Sequence, residues 1–336
     1  MARGLGRVIP IPALMDERDS DVTTASASER ILNPPEETRS SPRTRDNLVV
    51  VLFLLPSFSL FVVFVIYPIF QSIYYSLFNW KGFGPAVDFV ALDNYKRILT
   101  DRVFLIALKN GIIIVVLSLV LQLPLSLGLA LLVGRDLPGR AFFRTIFFMP
   151  YVFSEVIVAI MWLGLYNPDP DRGLINALLI LIPGVKAQPW LGDPQTVLMC
   201  LFVVLTWKYF GFHMLLYMTG LQNIPADIEE AARIDGANRR QLLTKITLPL
   251  LGSTIRTSVY LSVLGSLQQF ILVWIMTKGG PVNASEVMST YMYRFGFVRF
   301  YLGYGSAVSI VMFLICLIFS LAYQRLTPQR DYLGGM

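Results

Sequence analysis

Charge is scarce in this chain. Of its 336 residues only 15% are Asp, Glu, Lys or Arg, against roughly a quarter in soluble domains. Histidine occurs once, as His213, which excludes a multi-histidine metal centre. The two cysteines, Cys200 and Cys316, both fall in apolar stretches, so neither a disulfide framework nor a metal-ligand spacing follows from them. No G-x-x-x-x-G-K-[ST] phosphate loop occurs, and the chain is therefore not expected to hydrolyse ATP or to bind a cofactor of its own. The net charge of +6 comes without a basic cluster, which leaves a nucleic acid nothing to hold.

What the chain has instead is apolar length. Hydrophobic residues make up 55% of it, gathered in long runs, the mark of an all-α polytopic membrane protein. Six spans are expected, at about 48–69, 104–133, 145–166, 196–221, 251–276 and 304–323, within a membrane domain of 45–325. Pro56, Pro68 and Pro124 predict kinks in the first two. Residues 1–44 are rich in Ser, Thr, Pro and charge, and read as a disordered tail; 326–336 form a second, short one. The tail is not a cleavable leader, because the first apolar run starts near Leu48 and is long enough to span. Arg39, Arg43 and Arg45 precede the first span, and Arg135, Arg140 and Arg144 crowd the loop after the second. Basic flanks favour the cytoplasmic side, which puts both termini and that loop in the cytoplasm, against anionic lipid.

The stretch 222–250, between the fourth and fifth spans, is polar and well punctuated. Pro225 suits a helix start, Asp227, Glu229 and Glu230 complement the positive end of the helix dipole, and Gly236 suits a left-handed stop. A second helix is expected from about Asn238 to Thr247, with Pro249 discouraging its continuation. The product is a helix–turn–helix on the membrane surface, with Ala231, Ala232 and Ala237 offering small side chains to a partner.

Two charges stand out near the middle of expected spans: Glu155 in the third and Lys208 in the fourth. A buried charge there costs about 2.5–3.5 kcal/mol, so it must be paired or face water. Their matching depth and opposite sign suggest an ion pair, whether for packing or in a solute path, or two groups lining that path. In the fifth span Ser262, Ser266 and Gln269 recur at helical spacing and can share one polar face, either as solute contacts or as interhelical glue.

Glu230-Ala231-Ala232, Asp235-Gly236-Ala237 and Ile246-Thr247-Leu248-Pro249 together resemble the EAA loop of binding-protein-dependent ABC importer permeases. Pro56-Ser57, Tyr67-Pro68, Arg144 to Pro150, Gly173 to Asn176, Thr277 to Pro281 and Gly303 to Ala307 are similar to the carbohydrate-uptake branch, of the maltose and glycerol-phosphate permease type. The resemblance covers roughly Leu48 to the end. It departs after Leu248-Pro249, where Leu250-Leu251-Gly252 stands in place of another proline.

The resemblance implies a type I ABC importer permease, one half of a solute path. Its partners would be a second, homologous permease, two cytoplasmic ATPase subunits that hold ATP and Mg, an extracellular solute-binding protein, and a sugar. Glu230, Ala231, Ala232, Arg233, Asp235, Gly236 and Ala237 would couple to the ATPase. Lys208, Phe212, Ser262, Ser266 and Gln269 fall on positions of intramembrane sugar contacts, with Glu155 beside them. An ion-coupled secondary transporter would also use midplane charges, but has no need of such a loop.

Overall fold

The structure, a computed structural model, describes residues 43–133 and 139–327. The expected tails fall almost wholly outside the described residues, as does Arg135. Among those described, all regular structure is helical apart from an isolated bridge between Phe78 and Phe89.

The chain divides into two units, residues 1–66 and 67–336. In the first, α1 (Arg43–Phe61) runs into a π-helical turn at Val62–Ile66. Phe53 is 78% and Phe64 73% exposed, an apolar surface suited to lipid. The second unit holds α2 (Tyr67–Ser76), α3 (Asp93–Thr100), α4 (Arg102–Leu117), α5 (Leu123–Val133), α6 (Arg140–Val152), α7 (Glu155–Leu165), α8 (Leu174–Leu179), α9 (Val197–Gln222), α10 (Ala226–Ile234), α11 (Arg239–Gln241), α12 (Leu248–Leu250), α13 (Gly252–Leu267), α14 (Ile271–Met276), α15 (Met288–Tyr293) and α16 (Leu302–Leu326). Further π turns stand at Ser118–Gln122, Leu242–Thr247 and Arg294–Val298.

Five helical stretches are long and apolar enough to cross a membrane: Val49–Ser76, Arg102–Val133, Val197–Gln222, Gly252–Met276 and Leu302–Leu326. The third expected span is different. It is broken into α6 and α7, which meet at 98°. Pro150 lies in the last turn of α6, and Phe153 and Ser154 are extended between the two helices. The fifth is also interrupted, at Gln268–Phe270 between α13 and α14.

Three of the four π turns share a cause. Those ending at Ile66, Gln122 and Thr247 each stop two residues before a proline, Pro68, Pro124 and Pro249. A proline cannot donate to the carbonyl four residues back, and its ring collides with that carbonyl. In all three cases the carbonyl in question, on Phe64, Val120 or Lys245, lies in the widened turn. The helix thus absorbs the proline without ending, so the second helix of the polar loop continues through Pro249 to Leu250, beyond its expected stop.

The hub of the second unit is α9. In its most apolar window 61% of residues are buried within the chain, against 17% for Leu302–Leu326. Gly211 lets α9 approach α6 closely, since a Cβ there would collide with the Phe147 carbonyl. One core cluster joins α7, α9 and α14 through Val158, Leu201, Val204 and Leu272; another joins α4, α15 and α16 through Phe104, Tyr291 and Val308.

A candidate translocation cavity and a surface loop

The break in the third span leaves carbonyls without helical partners, which a membrane interior penalises unless another group reaches them. Lys208 on α9 is that group. Its Nζ donates to the carbonyls of Pro150 at 3.2 Å and Tyr151 at 2.8 Å, and to that of Phe153. The residue is 4% exposed. Among the described residues it makes no ion pair, so the expected Glu155–Lys208 bridge is absent. The physical reason is the break itself. Glu155 is not mid-span but opens α7, where the helix dipole favours a carboxylate. It accepts a hydrogen bond from the Tyr209 hydroxyl.

Beside this junction lies a cavity of about 490 Å³, walled by α4 and its π turn, the α6–α7 junction, α9, α13 and the break after it. On α9 the lining residues Leu205, Tyr209, Phe212 and His213 follow the i, i+4, i+7, i+8 spacing of one helix face. Lys208 is not among the lining residues, another departure from expectation. Phe212 stacks on Tyr151 with ring centroids 4.9 Å apart. His213 is 4% exposed, and its Nδ1 shares a hydrogen bond of 2.8 Å with Ser258 Oγ.

Ser262 and Ser266 bring hydroxyls from α13, and Ser266 meets Ser118 Oγ at 3.3 Å. Gln269 also lines the cavity, but from the unwound break and not from the helical face that its spacing suggested. It is 7% exposed, and among the described residues its side-chain nitrogen has no hydrogen-bond partner. Its backbone carbonyl accepts from Ser289 Oγ on α15. The cavity therefore gathers Glu155, Phe212, Ser262, Ser266 and Gln269 and leaves out Lys208. Tyr151, Ser118 and Gln122 belong to it and were not anticipated. The signal for the last two was present: Ser118, Gln122 and Ser126 stand four residues apart in an otherwise apolar run.

The polar loop folds as its punctuation suggests. Gly236 has φ +84°, and the N–H groups of Gly236 and Ala237 bond back to Arg233 O at 3.1 Å and Ala232 O at 2.9 Å, closing α10 in a Schellman motif. Asn238 and Gln241 then form a reciprocal capping box that opens α11. α10 packs against the π turn Leu242–Thr247, and Thr247 Oγ1 reaches Glu229 at 3.4 Å. Glu230, Ala231, Arg233, Asp235 and Gly236 are exposed and Ala237 half-buried. Ala232 is buried within the chain, so it packs inward and is not offered to a partner. The outward apolar group is Ile234, 81% exposed, which the alanine pattern had masked.

A family model described as "Binding-protein-dependent transport system inner membrane component" matches residues 122–332, which include most of the cavity wall and the whole loop. The "Probable ABC transporter permease protein YurN" of Bacillus subtilis is 37% identical over 285 residues, 84% of this chain and 96% of that one.

The chain belongs to this permease family.

As a member it is the membrane-embedded permease component of an ABC importer, a multi-pass protein of the plasma membrane. The "Diacetylchitobiose uptake system permease protein NgcF" of Streptomyces coelicolor is 30% identical, covering 90% of each chain. A chain of a bacterial alginate ABC transporter, crystallised with its pentasaccharide-bound periplasmic protein, superimposes with a TM-score of 0.76 at 24% identity, over 88% of this permease and 99% of that chain. That likeness bears on the fold, and it fits the type I importer architecture.

Proposed function

We propose that this permease carries a saccharide through the cavity between α4, α7, α9 and α13, driven by a separate ATPase that docks on the 222–250 loop. The observation that carries the reading is the make-up of the cavity wall. Sugars are held by hydroxyl hydrogen bonds and by stacking on aromatic faces, and the wall offers Ser262, Ser266, Gln122 and Gln269 together with Tyr151, Tyr209 and Phe212. The similarity to a diacetylchitobiose uptake permease agrees with it. With the loop and both termini in the cytoplasm, α10 acts as the lever: closure of two ATPase subunits around ATP and Mg pushes it, and the cavity opens to alternate sides. A second, homologous permease supplies the other half of the path, and an extracellular binding protein delivers the solute. The chain itself hydrolyses nothing.

The exposed surface of α10 sets the docking chemistry. Ile234 supplies the apolar anchor, Glu230 and Asp235 flank it, and Arg233 is held near by Glu229 at 3.9 Å. Co-expressing the chain with its partner permease and ATPase tests this. Replacing Ile234 with Asp releases the ATPase and abolishes uptake while the two permeases still co-purify. Retention of the ATPase on that variant, or uptake with no ATPase present, overturns the reading.

A further inference from the structure

The cavity is charged in one sign. It is lined by one carboxylate, Glu155, and by no lysine or arginine. Glu155 Oε1 takes the Tyr209 hydroxyl, and among the described residues no protein donor reaches the second oxygen. The nearest cation, Lys208, interacts with Glu155 electrostatically, but among the described residues the two form no ion pair. Lys208 spends its protons on three backbone carbonyls, behind the Tyr151 and Tyr209 rings, with centroids 5.5 and 5.8 Å from its Nζ. His213 is tied to Ser258. A second observation stands beside it: Gln269, 7% exposed, lines the same space, and among the described residues its Nε2, itself sealed from solvent, has no partner.

We propose that Glu155 sets the charge preference of this cavity: a sugar bearing a protonated amine binds best, a neutral sugar next, and a uronate or sugar phosphate worst. This rests on the saccharide reading above and names the class of sugar. An ammonium placed at Glu155 gains a charge-assisted hydrogen bond, stronger than the neutral one that a hydroxyl makes. Phe212 lines the same space, and its π cloud attracts cations. A carboxylate or phosphate in the same place meets a like charge where little water intervenes. Gln269 is neutral, so its side chain does not sort the three classes by charge.

The test uses the assembled transporter in nanodiscs, without binding protein, at low salt and about pH 6.5, where a sugar amine is protonated. Three dimers of one linkage are titrated: β-1,4-glucosamine, its diacetylated form, and β-1,4-glucuronate. The amine dimer is expected to bind at least about 10-fold tighter than the uronate, which is about 1.4 kcal/mol, with the neutral dimer between them. Glu155→Gln narrows that range to under about 3-fold, mainly by weakening the amine. Glu155→Asp keeps the order. A wild-type transporter that binds the neutral or acidic dimer as tightly as the amine overturns this proposal and leaves the saccharide reading standing. So does a full preference surviving in Glu155→Gln. Binding of none of the three removes both.

Discussion

Two spans are broken beside the cavity, and the protein treats the two breaks in opposite ways. At the α6–α7 junction three freed backbone acceptors, on Pro150, Tyr151 and Phe153, are claimed by one buried ammonium, that of Lys208. At the α13–α14 junction the backbone is held, through Ser289 on the Gln269 carbonyl, but among the described residues the Gln269 side-chain nitrogen is left without a partner. Unwound backbone is tolerated at membrane depth only where protein covers it or a polar cavity adjoins it. The first break shows the covered solution and the second the open one. The contrast separates groups that build the site from groups left free to meet a solute.

Breaking the covered junction has the largest expected effect. Lys208→Met orphans three carbonyls at about 1–3 kcal/mol each, a loss of several kcal/mol even after relaxation. It should appear as a large fall in thermal midpoint and in recovered transporter. A variant that assembles normally and loses only transport would place Lys208 in the solute path instead. Next comes the anchor of the segment that holds the second break. Glu286 is fully buried and bridged to Arg294 at 2.7 Å, and Asn110 of α4 donates to the carbonyls of Ala284 and Glu286, both at 2.9 Å. Arg294→Met strands that carboxylate and should cost about 3–5 kcal/mol near neutral pH.

The pH dependence of this variant has a definite sign. Burial raises the Glu286 carboxyl above its usual 4.5, and Arg294 only partly opposes this. The folded protein therefore holds that proton more tightly than the unfolded chain, so stability falls as pH rises from about 4.5 through the raised value, and is level above it. Removing Arg294 raises the carboxyl further. The deficit of Arg294→Met should shrink as pH drops toward 4.5, as followed by thermal unfolding at a series of pH values.

Ser289→Ala removes one hydrogen bond to the Gln269 carbonyl and should cost about 1 kcal/mol, with a parallel weakening of saccharide binding. The smallest effect on stability sharpens the comparison most. Gln269→Leu replaces an already unpartnered amide with an apolar group, so stability should hold or rise by up to about 1 kcal/mol. Saccharide affinity, by titration, should fall about 10-fold. Equal losses of stability from Gln269→Leu and Lys208→Met would erase the distinction between the two breaks.

The polar loop was almost wholly legible from its residues, because helix punctuation is local. Asp227 and Glu229, Gly236 and Asn238 each act within one turn, so reading them in order gives the two helices and the bend. What local reading missed there is direction. Ala232 and Ile234 are two residues apart, yet one is buried and the other open, since helical geometry turns such positions well apart. Pro249 misled for another reason. A proline rule assumes an ordinary helical turn, and the widened turn at Leu242–Thr247 removes the collision on which the rule depends.

The cavity was legible in part. Polar residues in an apolar run stand out, and Ser262, Ser266, Gln269 and Glu155 were visible for that reason. Their arrangement was not. Glu155 and Lys208 invited pairing by sign and by assumed depth, but depth along a straight span has no meaning once the span turns through 98°. Ser118 and Gln122 carried a readable signal in their spacing. Tyr151 carried none, because an aromatic at a helix end is as often packing as function.

By itself the sequence determined that this is a helical membrane protein with about six apolar segments and a capped helix–turn–helix between the fourth and fifth. Hydrophobic length and helix capping act over one or a few turns, and no distant contact is needed to express them. Only the tertiary structure decided that the third span folds back at Phe153, that Lys208 serves backbone carbonyls and not Glu155, and that Gln269 meets the cavity from unwound chain. Those outcomes depend on which carbonyls a bend sets free and on which side chain of another helix lies within reach, and distances of that kind exist only once the helices have packed.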